Sequence, residues 1–199
     1  MSSMAAPATL ATATAAATEE RFRALVVTER DRLVGLAYHL TGGNRELALD
    51  VAQEALLKAY RALPRFRGEA ELSTWLTRIV IHEAASHVRS RARRDRWSVL
   101  WPWSSEVPPE HEPRAAECDD PARQLEQARL RARISAALLR LSDGQRAAFA
   151  LVHLEGHTVE EAALVVGRSP GTLKSHLHRA LVALRRELGD LRVEVNHVA

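Results

Sequence analysis

The chain has 199 residues with a formal net charge of +3, and 46% of them are hydrophobic although only 5% are aromatic. This length accommodates one medium domain or two small ones, and frequent Ala, Leu, Arg and Glu favour helices over strands. The single cysteine, Cys118, excludes an internal disulfide framework and a cysteine-built zinc site. No apolar run is long enough to span a membrane, and the first eighteen residues lack the pattern of a secretory signal. We therefore expect an all-α protein located in the cytoplasm.

The N-terminal half predicts a disordered tail followed by three helices. Residues 1–19 are rich in Ala and Thr, which favours the tail. Apolar residues at three- and four-residue spacing then predict a helix over 20–40 and a second over about 45–63. Pro64 and Gly68 interrupt the pattern, and a third helix is predicted to begin near Glu71 and to become rich in arginine. Residues 20–96 form the first predicted domain.

Residues 97–121 predict a flexible, acidic linker. Four prolines prevent a continuous helix here: Pro102, Pro108, Pro109 and Pro113. A segment of this length, at ~3.3 Å per residue, reaches at most about 80 Å, which is comparable to about 70 Å for two turns of B-DNA. The linker would thus allow two domains to bind distant DNA sites. The roles of Trp97, Trp101 and Trp103 are left open.

The second predicted domain, residues 122–189, contains a helix-turn-helix over about 158–180 and precedes a tail at 190–199. Ser142 with Gln145, and Thr158 with Glu161, have capping-box spacing, and Ser169 precedes Pro170 as an N-cap precedes a first turn. In a helix-turn-helix the second helix enters the major groove, and its basic residues meet phosphates. The predicted DNA contacts are Ser169, Thr172, Lys174, Ser175, His178 and Arg179.

Two sets of motifs resemble the sigma-70 family of transcription initiation factors. The segments similar to region 4 are Leu141–Ser142, Gly156–Ala163 and Ser169–Ser175. Those similar to region 2 are Asp50–Glu54, Leu63–Glu69 and Thr74–Ile79. The order of the two sets, with no large domain between them, resembles the extracytoplasmic-function subgroup. The implied fold is two small helical domains, region 2 and region 4, joined by the linker.

This resemblance implies a non-enzymatic subunit of RNA polymerase that binds promoter DNA. Residues Asp50, Gln53 and Glu54 would dock on the clamp helices of the largest polymerase subunit, although Leu49 occupies a position that is commonly acidic in the family. Region 4 would read the minus-35 element. The minus-10 element would be bound by Arg67, Arg78, His82, Arg89 and Arg93.

Further expectations also come from the resemblance. His82 stands where members often have Asn, and the consequence for the preferred promoter is left open. The resemblance implies an anti-sigma factor as a partner. We predict no catalytic residue, no cofactor, no metal and no direct insertion into a membrane.

Two other functions remain as alternatives. A helix-turn-helix regulator acting without polymerase would explain the C-terminal third, and it would bind duplex DNA by itself, usually as a dimer. A metal-dependent enzyme would use His153 and His157 with Glu155 between them, but the His-Glu-x-x-His order of a zincin is missing. Trp75 lies on an apolar stripe, which favours packing in the core over stacking on a base.

Overall fold

The computed structural model describes the backbone of residues 7–100 and 121–189, and side chains from 17 to 93 and from 124 to 189. These ranges contain α-helices without a strand, in agreement with the predicted all-α class. No helix within them is both long and apolar enough to cross a bilayer. The helices are α1 Pro7–Leu40, α2 Arg45–Ala62, α3 Leu72–Leu100, α4 Pro121–Arg140, α5 Asp143–Phe149, α6 Val159–Val166 and α7 Pro170–Leu188.

Helices α1 to α3 pack into an N-terminal unit around a core of aliphatic side chains. The largest of them, each at most 1% exposed, are Leu33, Leu36, Val51, Leu76 and Val80. Small alanines on α2 face this core and let the helices approach closely: Ala48, Ala52, Ala55 and Ala59 are buried. The three- and four-residue spacing of apolar residues thus places one side of each helix against the others, as the sequence predicts.

The bounds of these helices differ from the predicted ones at two ends. Helix α1 begins at Pro7, so it runs through most of the segment predicted as a disordered tail. Alanine has the highest helix propensity, and the Ala-rich stretch extends the helix although it lacks an apolar period. Helix α3 continues to Leu100, beyond the predicted linker start at residue 97. Residues 101–120 and 190–199, which hold the rest of the predicted linker and the C-terminal tail, lie outside the described residues.

Helices α4 to α7 form a C-terminal unit in which local caps set the helix starts. Ser142 and Thr158 each make a complete capping box, with Gln145 and Glu161 respectively. A π-helical turn, Ala150–Leu154, follows α5. Gly167, with φ +67°, ends α6 in the left-handed conformation that glycine adopts without strain.

The interior of the C-terminal unit is made mainly by α5, α6 and α7. Leu151 and Leu173 are at most 1% exposed. Of the predicted apolar positions on α4, Leu138 and Leu141 are buried, whereas Leu130 and Ile134 are 36% and 38% exposed. Only the last turns of α4 pack against the rest of the unit, so only these turns bury their apolar side chains.

The two units pack directly on each other. Ile81 of α3 contacts the buried cluster around Leu151, and Val166 of α6 contacts the core of the N-terminal unit. Gly42, with φ +71°, lies under Leu139 so closely that an added Cβ would overlap the Cγ of that side chain. The sequence predicts two units joined by a flexible linker and contains no local signal for this packing.

Candidate nucleic-acid and polymerase interfaces

Helices α6 and α7 form the predicted helix-turn-helix. The turn between them passes from Gly167 to Ser169, whose hydroxyl accepts a hydrogen bond from the backbone N–H of Thr172 at 3.2 Å. Leu173, Ala180, Leu184 and Leu188 hold one side of α7 in the interior. The opposite side is exposed, and the N-terminus of α7 carries the positive end of a helix dipole, which attracts phosphate.

The predicted minus-35 residues lie on the exposed side of α7 or at its cap, but their side chains differ in availability. The hydroxyl groups of Ser169 and Thr172 lie 2.9 Å apart, and Ser175 donates to the carbonyl of Gly171 at 3.0 Å. These groups support the helix start. Lys174 is 4.0 Å from Glu160.

The side chains of His178 and Arg179 make no hydrogen bond or ion pair with the rest of the described chain. Both residues are exposed on α7. Of the predicted minus-35 contacts, these two can therefore bind DNA without losing a hydrogen bond or an ion pair inside the protein.

Four of the predicted minus-10 residues share one face of α3. At 3.6 residues per turn, Arg78, His82, Arg89 and Arg93 fall within an arc of about 60°, and all four are exposed. The fifth, Arg67, is exposed in the loop before α3. The structure thus aligns the four residues of α3 on one surface, which we call the α3 basic face (Arg78, His82, Arg89 and Arg93).

Part of the α3 basic face contacts the C-terminal unit. Arg78 donates from Nε to the carbonyl of Val165 and from Nη2 to that of Leu164, both at 2.9 Å. Arg89 forms an ion pair with Asp143 at the start of α5. Arg93 donates to the hydroxyl of Ser90 at 3.0 Å. Three of the four side chains therefore have a partner within the protein, and two of these, Arg78 and Arg89, bind the C-terminal unit.

The predicted polymerase contacts lie together on the outer face of α2. Asp50, Gln53 and Glu54 are exposed there, one turn apart or less. His87 Nε2 lies 2.8 Å from Glu54 Oε2, and this hydrogen bond holds the pKa of the Glu54 carboxyl below its usual value. Leu57, 49% exposed, lies on the same face one turn later. The sequence analysis does not include Leu57 in this face, although its seven-residue spacing from Asp50 indicates that the two residues share one side of the helix.

Beside this face, Glu83 is buried at 6% exposure and pairs with Lys58. Glu54, Glu83 and His87 are the one group of three potential metal ligands that the described side chains bring together. Lys58 already supplies a cation to Glu83, and His87 is bonded to Glu54. Hydrogen bonds and ion pairs within the protein therefore account for the whole cluster.

The side chains of the alternative metal site serve other contacts. Glu155 forms an ion pair with Arg32 of α1 at 2.8 Å, and His157 lies 3.9 Å from Glu161. His153 packs against Phe149 in a tilted arrangement, with 5.2 Å between ring centroids. The described residues therefore do not gather these histidines around one point. Trp75 packs against Phe66, with 5.1 Å between centroids, which supports the structural interpretation.

The comparisons with known proteins match both halves of the chain. The family model for sigma-70 region 2 matches residues 25–94, and the model for sigma-70 region 4 matches residues 131–184. The RNA polymerase sigma-H factor of Pseudomonas aeruginosa is 33% identical over 170 residues, covering 85% of this chain and 87% of the relative. The ECF RNA polymerase sigma factor SigM of Mycobacterium tuberculosis is 34% identical over 157 residues, covering 79% and 72%.

Solved structures have the same fold. The sigma factor RpoE of Bartonella quintana, in complex with the anti-sigma factor NepR, superposes with a TM-score of 0.61 at 27% identity, covering 87% of this chain and 99% of that one. CnrH, in complex with the cytosolic domain of CnrY, shares the fold with a TM-score of 0.57 at 24% identity, over 90% and 95% of the two chains. With both regions matched in order and relatives aligned over most of their length, the chain belongs to the extracytoplasmic-function group of the sigma-70 family, whose members are non-enzymatic factors that direct RNA polymerase to promoters.

Proposed function

We propose that three surfaces of this sigma factor each bind a different partner during transcription initiation. The outer face of α2 binds core polymerase, the α3 basic face with Arg67 binds the minus-10 element, and the exposed side of α7 binds the minus-35 element. The observation that carries the proposal is the alignment of Arg78, His82, Arg89 and Arg93 along one face of α3, because separate helical turns then act on one DNA strand.

The α3 basic face would hold the phosphates of the non-template strand while a base leaves the stack. Guanidinium groups suit this role, since they stay charged and bind phosphate through two parallel hydrogen bonds. His82 lies between the arginines on this face and presents a ring that can hydrogen-bond to a base edge. The free energy that opens the duplex would come from these contacts, and no covalent bond would be made or broken.

The start of α7 would enter the major groove at the minus-35 element. The caps made by Ser169 fix the first turn of the helix, so that Lys174, His178 and Arg179 project from a rigid support. Arg179 suits bidentate contact with a guanine edge or with a phosphate. We expect its removal to weaken binding more than removal of an arginine elsewhere in the C-terminal unit.

The outer face of α2 would dock on the clamp helices of the largest polymerase subunit. Its polar residues, Asp50, Gln53 and Glu54, adjoin the exposed apolar side chain of Leu57, which follows them on the same face. An apolar centre with a polar rim is the usual composition of a protein interface. Leu57 therefore joins the predicted polymerase contacts.

We further propose that the factor acts in the cytoplasm under the control of an anti-sigma factor. The solved relative RpoE is bound to the anti-sigma factor NepR, and this chain shares its fold and both of its regions. Such a partner would compete with polymerase or DNA for the surfaces described above.

The test is transcription in vitro with sigma-free core polymerase and a library of candidate promoters, followed by sequencing of RNA starts. We expect starts that share an upstream motif, and loss of most of this transcription with Arg179→Ala. The matched control is Arg131→Ala, the same change at an exposed position on α4, which should retain it. Asp50→Arg should abolish core binding, whereas Asp31→Arg on the exposed side of α1 should not. Absence of core binding, together with direct binding of duplex DNA, would favour a regulator instead.

A further inference from the structure

The exposed apolar residues on the first turns of α4 continue a row that is buried farther along the helix. Leu130 and Ile134 are exposed, whereas Leu138 and Leu141 are buried against the second half of α7. At 3.6 residues per turn, these four side chains fall within an arc of about 80°. The side of α4 that packs against α7 therefore extends about two turns beyond the end of α7.

Helices α4 and α7 lie antiparallel. Gly144, which follows α4 closely, lies beside the ring of His176 in the first half of α7. Arg140, at the end of α4, instead forms an ion pair with Glu187 in the last turn of α7. Arg133 lines the same small cavity as Glu187 and is exposed. A continuation of α7 would therefore run along the first turns of α4, past the exposed apolar residues.

The residues that follow α7 have the spacing of a longer helix. In residues 190–199, three apolar residues continue the intervals of three and four that begin with Leu184 and Leu188: Leu191, Val195 and Val198. On a continuous helix, all five would fall within an arc of about 80°. Glu194 follows Glu187 by seven residues, which is about two turns, so the two carboxylates would share one side.

The backbone at the end of α7 has no left-handed stop. Gly189 has φ −25° and ψ −32°, whereas Gly167 ends α6 with φ +67° in the left-handed conformation. Glycine still lowers helix propensity, so a helix that continues past Gly189 depends on tertiary contacts for its stability. The exposed apolar residues of α4 provide a surface for such contacts.

We propose that residues 190–199 extend α7 and cover the first turns of α4. The antiparallel register of the two helices sets the pairs: Leu191 packs against Ile134, and Val195 packs against Leu130. Burial of these apolar side chains supplies the favourable free energy that a helix interrupted by glycine needs. The helix that carries the minus-35 contacts then also supports the first turns of α4, which follow the linker.

Charge complementarity supports this placement. Arg140 and Glu187 already form an ion pair. Two turns back along α4 lies Arg133, which has no ion pair with the side chains that the structure describes. Two turns forward from Glu187 stands Glu194. The register that joins Arg140 to Glu187 therefore also brings Arg133 and Glu194 together, with opposite charges.

Hydrogen exchange of the full chain, compared with a chain that lacks residues 190–199, tests the proposal. We expect the amides of 127–134 to exchange about tenfold faster without the segment, because loss of even one buried Leu or Val contact changes an opening equilibrium by that order. Exchange in α6 should be unchanged, which shows that the C-terminal unit stays folded. Equal exchange of 127–134 in the two proteins would overturn the proposal. If that exchange is slow in both, another segment covers α4.

Val195→Asn tests the same contact at full chain length, and it remains informative if the shortened chain unfolds. Val193→Asn is the matched control, because on a continuous helix Val193 lies on the side opposite the apolar row. We expect Val195→Asn to speed the exchange of 127–134 and Val193→Asn to leave it unchanged. Equal effects of the two changes would contradict a helical extension that packs through this side.

An engineered disulfide identifies the surfaces that touch. With Cys118→Ser to remove the native thiol, mild oxidation should join Leu130→Cys to Val195→Cys within one chain, since a disulfide requires Cα atoms within about 7 Å. Leu130→Cys with Val193→Cys should react more slowly. Cross-linked dimers would instead show that a second copy covers α4. Failure of both pairs to react would count against any contact.

A charge swap tests the register. Glu194→Arg places a like charge beside Arg133 and should speed the exchange of 127–134 about twofold, the size expected for an exposed ion pair. The swap, Arg133→Glu with Glu194→Arg, should restore the slower exchange. The matched control is Glu69→Arg, the same change at an exposed loop position of the N-terminal unit, which should have no effect. A swap that restores nothing would contradict the pairing of Arg133 with Glu194.

Discussion

The carboxylate of Glu155 accepts a hydrogen bond from Nη1 of Arg32 at 2.8 Å, across 123 residues of sequence. Glu155 directly follows the π-helical turn, and Arg32 lies on α1 with a second hydrogen bond, from Nη2 to Thr77 Oγ1 at 3.0 Å. The pair joins α1, α3 and the C-terminal unit at one point. Glu155, which the sequence analysis considers as part of an alternative metal site, therefore links the two helical units.

A double-mutant cycle on this pair should give a favourable coupling energy. We expect Glu155→Gln to lower the free energy of unfolding by about 1–2 kcal/mol, since the carboxylate is nearly buried whereas Arg32 retains partial solvent screening. With Arg32→Met as the second change, the coupling should be about 1 kcal/mol. Urea unfolding of the four proteins measures it. Strictly additive changes would mean that the pair contributes no stability.

Stability should fall on acidification because burial lowers the pKa of His39 and of His153. The unfolded chain then takes up protons at a higher pH than the folded one, so stability is present above the ordinary histidine pKa of about 6.5 and declines as pH falls below it. The thermal midpoint should therefore decrease from pH 7.5 to pH 5. His153→Gln should reduce the slope, and an unchanged slope in this variant would contradict the contribution of the buried imidazole.

Thr158→Ala should destabilise the helix-turn-helix by about 1 kcal/mol through loss of an N-cap. Thr158 Oγ1 accepts a hydrogen bond from the N–H of Glu161 at 3.2 Å, and the Glu161 carboxylate accepts one from the N–H of Thr158 at 2.8 Å. Thr158→Ser keeps the hydroxyl and should retain nearly full stability. Equal unfolding midpoints for the alanine and serine variants would contradict the capping role.

Leu151→Ala should cost about 2–5 kcal/mol, as expected when a large side chain is removed from a packed interior. Leu151 is 0% exposed, whereas Leu164 on α6 is 71% exposed. Leu164→Ala is therefore the matched control and should change stability by less than about 0.5 kcal/mol. Denaturant titration followed by circular dichroism compares the two. A similar cost at both positions would show that Leu151 is not in the core of the free protein.

Gly42→Ala should be more damaging than Gly68→Ala, although both glycines have φ +71°. The backbone conformation costs an alanine about 1–2 kcal/mol at either position. At Gly42 the new Cβ also meets the side chain of Leu139, while nothing lies within 4 Å at Gly68. We expect Gly42→Ala to loosen the packing of the two units as well as to lower stability. Hydrogen exchange of α4 measures the loosening, and equal exchange in the two variants would count against this contact.

Much of the C-terminal unit can be predicted from the sequence because its helix boundaries depend on neighbouring residues. Ser142, Thr158 and Ser169 mark three helix starts, and the structure gives each of them its capping bond. Apolar periodicity predicts that α1 begins at Glu20, although alanine propensity extends the helix to Pro7. Periodicity predicts the helices that bury one side, and a helix start set by alanine propensity carries no such pattern.

The sequence by itself determined the all-α class, the order of the two regions and three capped helix starts, since caps, periodicity and short motifs act within a few turns of chain. Tertiary structure alone decided that Arg146 is buried with its guanidinium at Leu40, and that Arg78 binds the end of α6. The partners are backbone carbonyl groups, which every residue has, so no pattern of side chains in the sequence marks them. They become partners only because packing of the apolar surfaces brings two helix ends within reach of the two arginines.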